Sequence, residues 1–477
     1  MSEDTEKLYR ELGYDEPLPP PTRRRGGEAD RDEIPPLTAE QAEELWIRFS
    51  ENPTELVARA RVIWDRDMTE SRLAQTIQEA RAMLRAPVEA REQVRSRREG
   101  LSRGTKLPAD FTFPGIEKHR DQIDPGNHKF QDKGDELGWL LFSGPYLLLS
   151  AGREPPNFRF HEEKPSRFSY ELPDAGPTLT VALFSDFGTG LYHALYIADL
   201  LREAAYPYAL HLGDVYYSGR KSEFRDHFEK QLDPLLGRTA LYTLHSNHEM
   251  YSLAKPYFKY LDNRAYPAGQ PRQEGSYFRL IWKNVQFVGI DTASFGDGRF
   301  REPRQRAWLE EVLEDGRRAQ RVTILLSANE PYDYGEKEFR PLMREDLDDL
   351  VADRQLVDLW FWGNVHYCAL FEPTPRSPFF GSCIGHSGYP YSRKRRGEAE
   401  PAPLLYLEEG NRFLREDVRP DMGNNGFCVL EVREGSIAMS YRDWMGNIRC
   451  KTDFSVSQGR LTLAASPVLP GPGRNSL

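Results

Sequence analysis

ALYTLHSNHEM, residues 240–250, joins an apolar run to a polar triplet. The run Ala240–Leu244 reads as a buried strand, because a short continuous apolar stretch suits a strand covered on both faces. Asn247, His248 and Glu249 then stand where that strand ends. Three polar side chains there are a poor packing choice, so the question is what else in the chain meets them.

The same arrangement recurs. TLTVALF (178–184) reads as a strand and runs into Ser185-Asp186-Phe187-Gly188. YALHL (208–212) runs into Gly213-Asp214-Val215-Tyr216-Tyr217, VTILL (322–326) into Ser327-Ala328-Asn329-Glu330, and LVDLWFW (356–362) into Gly363-Asn364-Val365-His366. Between these strands lie helical patterns at 190–204, 222–236 and 303–313. FRLIW (278–282), VQFVGI (285–290) and three closing strands (426–432, 436–443, 448–454) complete the set. RFSYELP (167–173) and GWLLFSGPYLLLSAG (138–152) are expected to be antiparallel strands. Alternating apolar strands and helices predict an α/β fold with a buried sheet covered by helices. Ligands of such folds bind beyond the carboxyl ends of the strands. Two carboxylates, several amides and two imidazoles would meet there. Clustered carboxylates repel unless a cation lies between them, and Asp, Asn and His together suit Zn, Mn or Fe.

These five strand ends resemble the motifs of the calcineurin-like metallophosphoesterases. The pattern is nearest the branch related to purple acid phosphatases, in an intracellular bacterial-type version. SDFG (185–188), GDVYY (213–217), SNHE (246–249), LSAN (326–329) and GNVH (363–366) stand for the family's motifs, and the resemblance covers about 178–390. It implies a β-sandwich flanked by helices, and it implies roles. Asp186, Asp214, Tyr217 and His366 would hold a first metal, with Tyr217 serving because Gly188 stands where other branches carry a second His. A phenolate favours Fe there, with Mn or Zn as alternatives. Asp214 would bridge to a second metal, Asn247 would bind that metal, and His248 would donate a hydrogen bond or a proton to the phosphate ester.

Two positions depart from the family. The fourth motif ends in Asn329 and the fifth opens with Asn364, where the family has His. Both missing imidazoles belong to the second metal. An amide oxygen is a weaker donor than an imidazole nitrogen, so the second site is expected to be weak or empty. Glu330, beside Asn329, could replace a ligand, but a strand-end neighbour is expected to point away. His386, in GHSGYP (385–390), is a candidate for substrate binding. His211 and His245, inside apolar strands, are read as structural, and most tyrosines near the motifs as packing.

The bulk numbers limit the alternatives. A formal net charge of −10 argues against general nucleic-acid binding. The N-terminus lacks the apolar core of a signal peptide, and no run approaches a membrane span. Four cysteines without a CxxC spacing fit a reducing cytoplasm. Residues 1–37 are expected to be a disordered tail, 38–137 a helical region and linker, 138–460 the catalytic domain, and 461–477 a flexible tail. Two functional readings follow. One is a phosphoesterase acting on a small phosphate ester or a nucleotide through a metal-bound water. The other is a catalytically impaired relative acting as a binding module, with the N-terminal helices taking a protein partner.

Overall fold

The computed structural model describes residues 155–469, apart from 175, 217, 297, 398–400 and 413–421. The expected tail 1–37, the helices within 38–137, the strands at 138–152 and the residue Tyr217 lie outside the described residues.

Two sheets stack face to face. The first has seven strands in the order β15-β14-β13-β12-β2-β3-β4. One end of it is formed by β2 (Leu179–Phe184), β3 (Tyr208–His211) and the edge strand β4 (Ala240–Thr243), and these three run parallel. Beside them lie β12 (Gly426–Arg433), β13 (Ser436–Asp443), β14 (Ile448–Ser457) and β15 (Arg460–Val468), all antiparallel to their neighbours. The second sheet has eight strands in the order β1-β5-β6-β7-β8-β10-β9-β11. These are β1 (Ser169–Glu171), β5 (Phe278–Trp282), β6 (Val285–Ile290), β7 (Val322–Ser327), β8 (Leu359–Trp362), β9 (Cys368–Phe371), β10 (Phe380–Ile384) and β11 (Leu404–Leu407). Strands β6, β7, β8 and β10 run parallel.

The side-chain alternation of a strand builds the layers. Val181 and Leu183 of β2 face inward, into one core with Leu210, Tyr242, Phe287, Ile324 and Phe361. Their neighbours Ala182 and Phe184 face outward, onto helix α1 (Tyr192–Ala204). On the other sheet Leu325, Trp360 and Trp362 pack outward with Trp308 and Leu309 of a second long helix (Pro303–Arg318). Both faces of each parallel strand are therefore covered, which is why these strands read as unbroken apolar runs.

Two expectations are corrected. The segment at 167–173 does supply β1, but it pairs parallel to β5 and not antiparallel. The expected tail from 461 begins as strand β15, which hydrogen-bonds along β14. All four cysteines are free and buried.

A partly buried ion pair ties the sheets together. Glu408, just after β11, takes both Nε (3.0 Å) and Nη2 (3.2 Å) of Arg449 from β14. It also accepts from Tyr406 Oη at 2.8 Å. Burial alone would raise the Glu408 carboxyl, but the Arg449 charge and these hydrogen bonds hold it below the usual glutamate range. Its contribution is therefore complete above the ordinary glutamate pKa of about 4.3 and is lost as the pH falls through the lower folded value. Glu408→Gln should destabilise the fold at neutral pH by about 1–2 kcal/mol, because it leaves a half-buried guanidinium without its counter-charge, with solvent screening part of the loss. Urea denaturation checks this, and an unchanged midpoint would mean that Arg449 reaches solvent instead.

Candidate functional site

The parallel strands of both sheets end at one place. Asp186 follows β2, Asp214 follows β3 and Asn247 follows β4. Asn329 follows β7, and Asn364 and His366 follow β8. Main-chain bonds stitch the two sheets there. Ser387 N donates to the Ser185 carbonyl (3.1 Å), and Asn364 N donates to Asp186 Oδ2 (3.0 Å).

The chain turns sharply as it leaves these strands. Asp186, Asp214 and Asn364 sit at φ of +57°, +77° and +65°. Each left-handed non-glycine residue costs about 1–3 kcal/mol, and such residues cluster at functional sites. Gly363 allows the closest approach, since a Cβ there would lie 1.9 Å from Ser185 Oγ and 2.8 Å from Asp186 Oδ2.

Three side-chain atoms converge on one hydroxyl. Tyr216 Oη donates to Asp186 Oδ1 at 2.7 Å and lies 3.1 Å from Asp214 Oδ2 and 3.2 Å from His366 Nε2. His366 Nε2 is 3.3 Å from Asp186 Oδ1, and its ring stacks on Tyr389 with centroids 3.8 Å apart. All of these side chains are buried. Burial would raise the Asp186 carboxyl, but the hydrogen bond and charge of His366 bring it below the usual range. Asp214 is pushed well up, by burial first and then by the charges of Asp186 and Glu249. The two carboxylates thus resist being ionised together unless a cation joins them.

The donors fit such a cation in kind. Two carboxylates, an imidazole and a phenol are a set for Fe, Mn or Zn. Asp214 Oδ1 is buried with no hydrogen-bond partner, an unsatisfied acceptor at the centre of the group. Their spacing here is that of hydrogen bonds around Tyr216. Among the described residues no three His, Cys, Asp or Glu side chains stand at metal-ligand spacing.

Asn247 opens a short helix (Asn247–Met250). Its Oδ1 accepts from Ser246 Oγ at 2.8 Å, and its Nδ2 donates to Tyr251 Oη at 3.2 Å. His248 lies over Tyr216, with ring centroids 4.4 Å apart. Glu249 faces inward and accepts from Ser246 N (3.0 Å) and Asp214 N (3.3 Å), which ties the ends of β3 and β4. Burial pushes its carboxyl up to about 7. Beneath it His245 Nε2 contacts Asp291 Oδ2 at 2.9 Å in a fully buried pair.

After β7 and β8, Asn329 Oδ1 accepts from Thr292 Oγ1 (2.7 Å) and Asn364 Nδ2 donates to Glu330 Oε2 (3.0 Å). Glu330 therefore does not point away as expected. It reaches Asn364 with one oxygen and Arg340 with the other. His386 is buried against Gly426, and burial pushes its imidazole down to about 4. Its ring makes no hydrogen bond to Asp186, Asp214 or His366.

The family resemblance pointed to Tyr217, which lies outside the described residues, and did not single out Tyr216. Arg340 lies ten residues beyond Glu330 and carried no motif.

Residues 179–368 match the family model described as calcineurin-like phosphoesterase. This stretch is similar to that family. It makes up under half of the chain. No curated protein sequence matches the chain. Among solved structures, the purple acid phosphatase PPD1 from yellow lupin (Lupinus luteus) seeds is 16% identical with a TM-score of 0.45, over 58% of this chain and 53% of that one. The matched region thus spans about half the length of the lupin enzyme. GAP50, the anchor in the inner membrane complex of Plasmodium, is 13% identical with a TM-score of 0.45, over 59% of this chain and 90% of that one. A dimetal phosphatase from Danio rerio is 13% identical with a TM-score of 0.40, over 59% and 100%. Among the described residues no helix is long and apolar enough to cross a membrane.

Tyr216→Phe removes the only hydroxyl shared by Asp186, Asp214 and His366 among the described residues. It should lower stability by about 1–3 kcal/mol in metal-free protein, measured by thermal unfolding. Gly363→Ala should cost about 1–3 kcal/mol by overpacking and displace the Asp186 carboxylate, so metal uptake should fall with it.

Proposed function

We propose that this phosphoesterase domain hydrolyses a phosphate mono- or diester at a metal centre held by Asp186, Asp214, Asn247 and His366, with a phenol from the Tyr216-Tyr217 pair. The observation that carries this reading is the convergence of Asp186 Oδ1, Asp214 Oδ2 and His366 Nε2 within 2.7–3.2 Å of the single Tyr216 hydroxyl. The family match supports phosphoester chemistry at this place.

A bound Fe, Mn or Zn ion would supply Lewis-acid charge and a water of lowered pKa. The chain's own residues do the rest. Asp186 and Asp214 fix the charge of the centre, and His366 is held in orientation by the face of Tyr389. His248, buried between the rings of Tyr216 and Tyr251, holds a proton at an imidazole nitrogen for the leaving oxygen. The buried walls exclude bulk water, which strengthens each of these interactions. The substrate is a small phosphate ester or nucleotide, in a cytoplasmic setting. The second metal position is weakened by Asn329 and Asn364.

One observation favours the alternative, a catalytically impaired binding module. The carbonyl oxygens of Asn247 and Asn329, the atoms that would ligate a second ion, already accept hydroxyl protons from Ser246 and Thr292.

Turnover of an aryl phosphate and an aryl phosphodiester with added Mn, Zn, Fe or Mg decides between them. The enzyme reading expects turnover that Asp186→Ala abolishes, and a fall in kcat of about 10²–10⁴-fold in His248→Ala. No turnover and no bound metal in the wild-type chain would establish the binding module.

A further inference from the structure

We propose that the chain carries its own replacement for the second metal ion, the guanidinium of Arg340. The proposal rests on the reading above, in which Asn329 and Asn364 occupy the second-metal positions.

Glu330 and Asp333 are buried carboxylates beside those positions, 7% and 5% exposed. Buried carboxylates require a cation. In a two-metal centre the second ion would supply it. Here Arg340 supplies it, with Nε on Glu330 Oε1 (2.9 Å), Nη2 on Asp333 Oδ2 (3.3 Å) and Nη1 on Glu336 Oε2 (2.8 Å). The guanidinium is therefore engaged along its whole edge, and its main chain is anchored by a bond from Arg340 N to the Pro331 carbonyl (2.8 Å).

The contacts lead directly into the metal centre. The free oxygen of Glu330 accepts from Asn364 Nδ2 at 3.0 Å, and Asn364 N donates to Asp186 Oδ2 at 3.0 Å. One line of hydrogen bonds thus joins the guanidinium, a carboxylate, a carboxamide and a first-metal ligand. The orientation of Asn364 also follows. A carboxamide can donate to Glu330, whereas an imidazole bound to a metal would direct its lone pair at the ion. Asn364 and Arg340 are thus mutually consistent, and both oppose a second divalent ion. Such an ion at Glu330 would face a fixed positive charge across one carboxylate. Without the guanidinium, the Glu330 carboxylate and the amide oxygens of Asn329 and Asn364 would offer oxygen ligands of the kind suited to Mn²⁺ or Mg²⁺.

The test counts metal on the full-length chain. Mn²⁺ per chain is measured by elemental analysis, and affinity by the EPR signal of free Mn²⁺, for the wild type, Arg340→Met and Arg340→Lys. Arg340→Met should bind one more Mn²⁺ than the wild type, at least about tenfold more tightly than any weak wild-type binding at that place. Arg340→Lys keeps the charge and should behave as the wild type. Two Mn²⁺ on the wild type, or no gain in a folded Arg340→Met, overturns the proposal. Wild-type crystals soaked in Mn²⁺ give a decision even if the variant does not fold. An anomalous peak between Asn329, Glu330 and Asn364 overturns the proposal, and the absence of one there supports it. Failure of the phosphoesterase reading is distinguishable, because it appears as no ion at Asp186 in the wild type, while Arg340 is judged from the difference between variant and wild type.

Discussion

Two carboxylates, Asp186 and Asp214, are buried within reach of the same hydroxyl. Much of the local structure exists to make that possible. Left-handed turns aim both side chains inward, and glycine at 363 lets the second sheet come close enough for Asn364 N to hold one of them. The strain of these turns is borne by the sandwich, whose parallel strands are covered on both faces and cannot shift to relieve it. Like charges brought this close favour a shared proton or a cation, and this polarity is the basis of any chemistry here.

Much of this was legible in the sequence. Runs such as VTILL and ALYTL announced strands buried on both faces, and the polar residues directly after them marked the edge where ligands bind. Alternation between strand and helix gave the layers. Less legible was anything that depends on direction within a turn. The family resemblance selected Tyr217, which lies outside the described residues, and among the described residues the hydroxyl that meets Asp186, Asp214 and His366 belongs to Tyr216. Glu330 was expected to face away by strand alternation, a rule that lapses once the strand has ended at Ser327. The parallel pairing of β1 with β5 was equally hidden, since local pattern does not encode the direction of a partner about 110 residues away.

The two halves of the site differ in origin. Asp186, Asp214 and Asn247 come from the seven-stranded sheet, and Asn329 and Glu330 from the eight-stranded sheet. Strand β8, in that second sheet, ends in both Asn364 and His366, so one turn serves both halves. On the eight-stranded side, hydrogen bonds from Thr292 and Asn364 and the ion pairs of Arg340 form a satisfied polar network. Buried polar groups satisfied in this way are rigid, and the cost of disturbing any member is shared by the rest.

That sharing constrains how such a site changes over generations. Residues joined in one network do not contribute additively. Histidine at 364 would remove the donor to Glu330 while Arg340 still holds its other oxygen, so the single change loses a contact without gaining an ion. Loss of Arg340 alone would leave buried carboxylates without their partner. Each first step is unfavourable by itself, and only a combined change escapes. The salt bridge between Arg340 and Glu330 therefore acts as a ratchet on the residues around it, holding them by a fitness valley and not by the length of the mutational path.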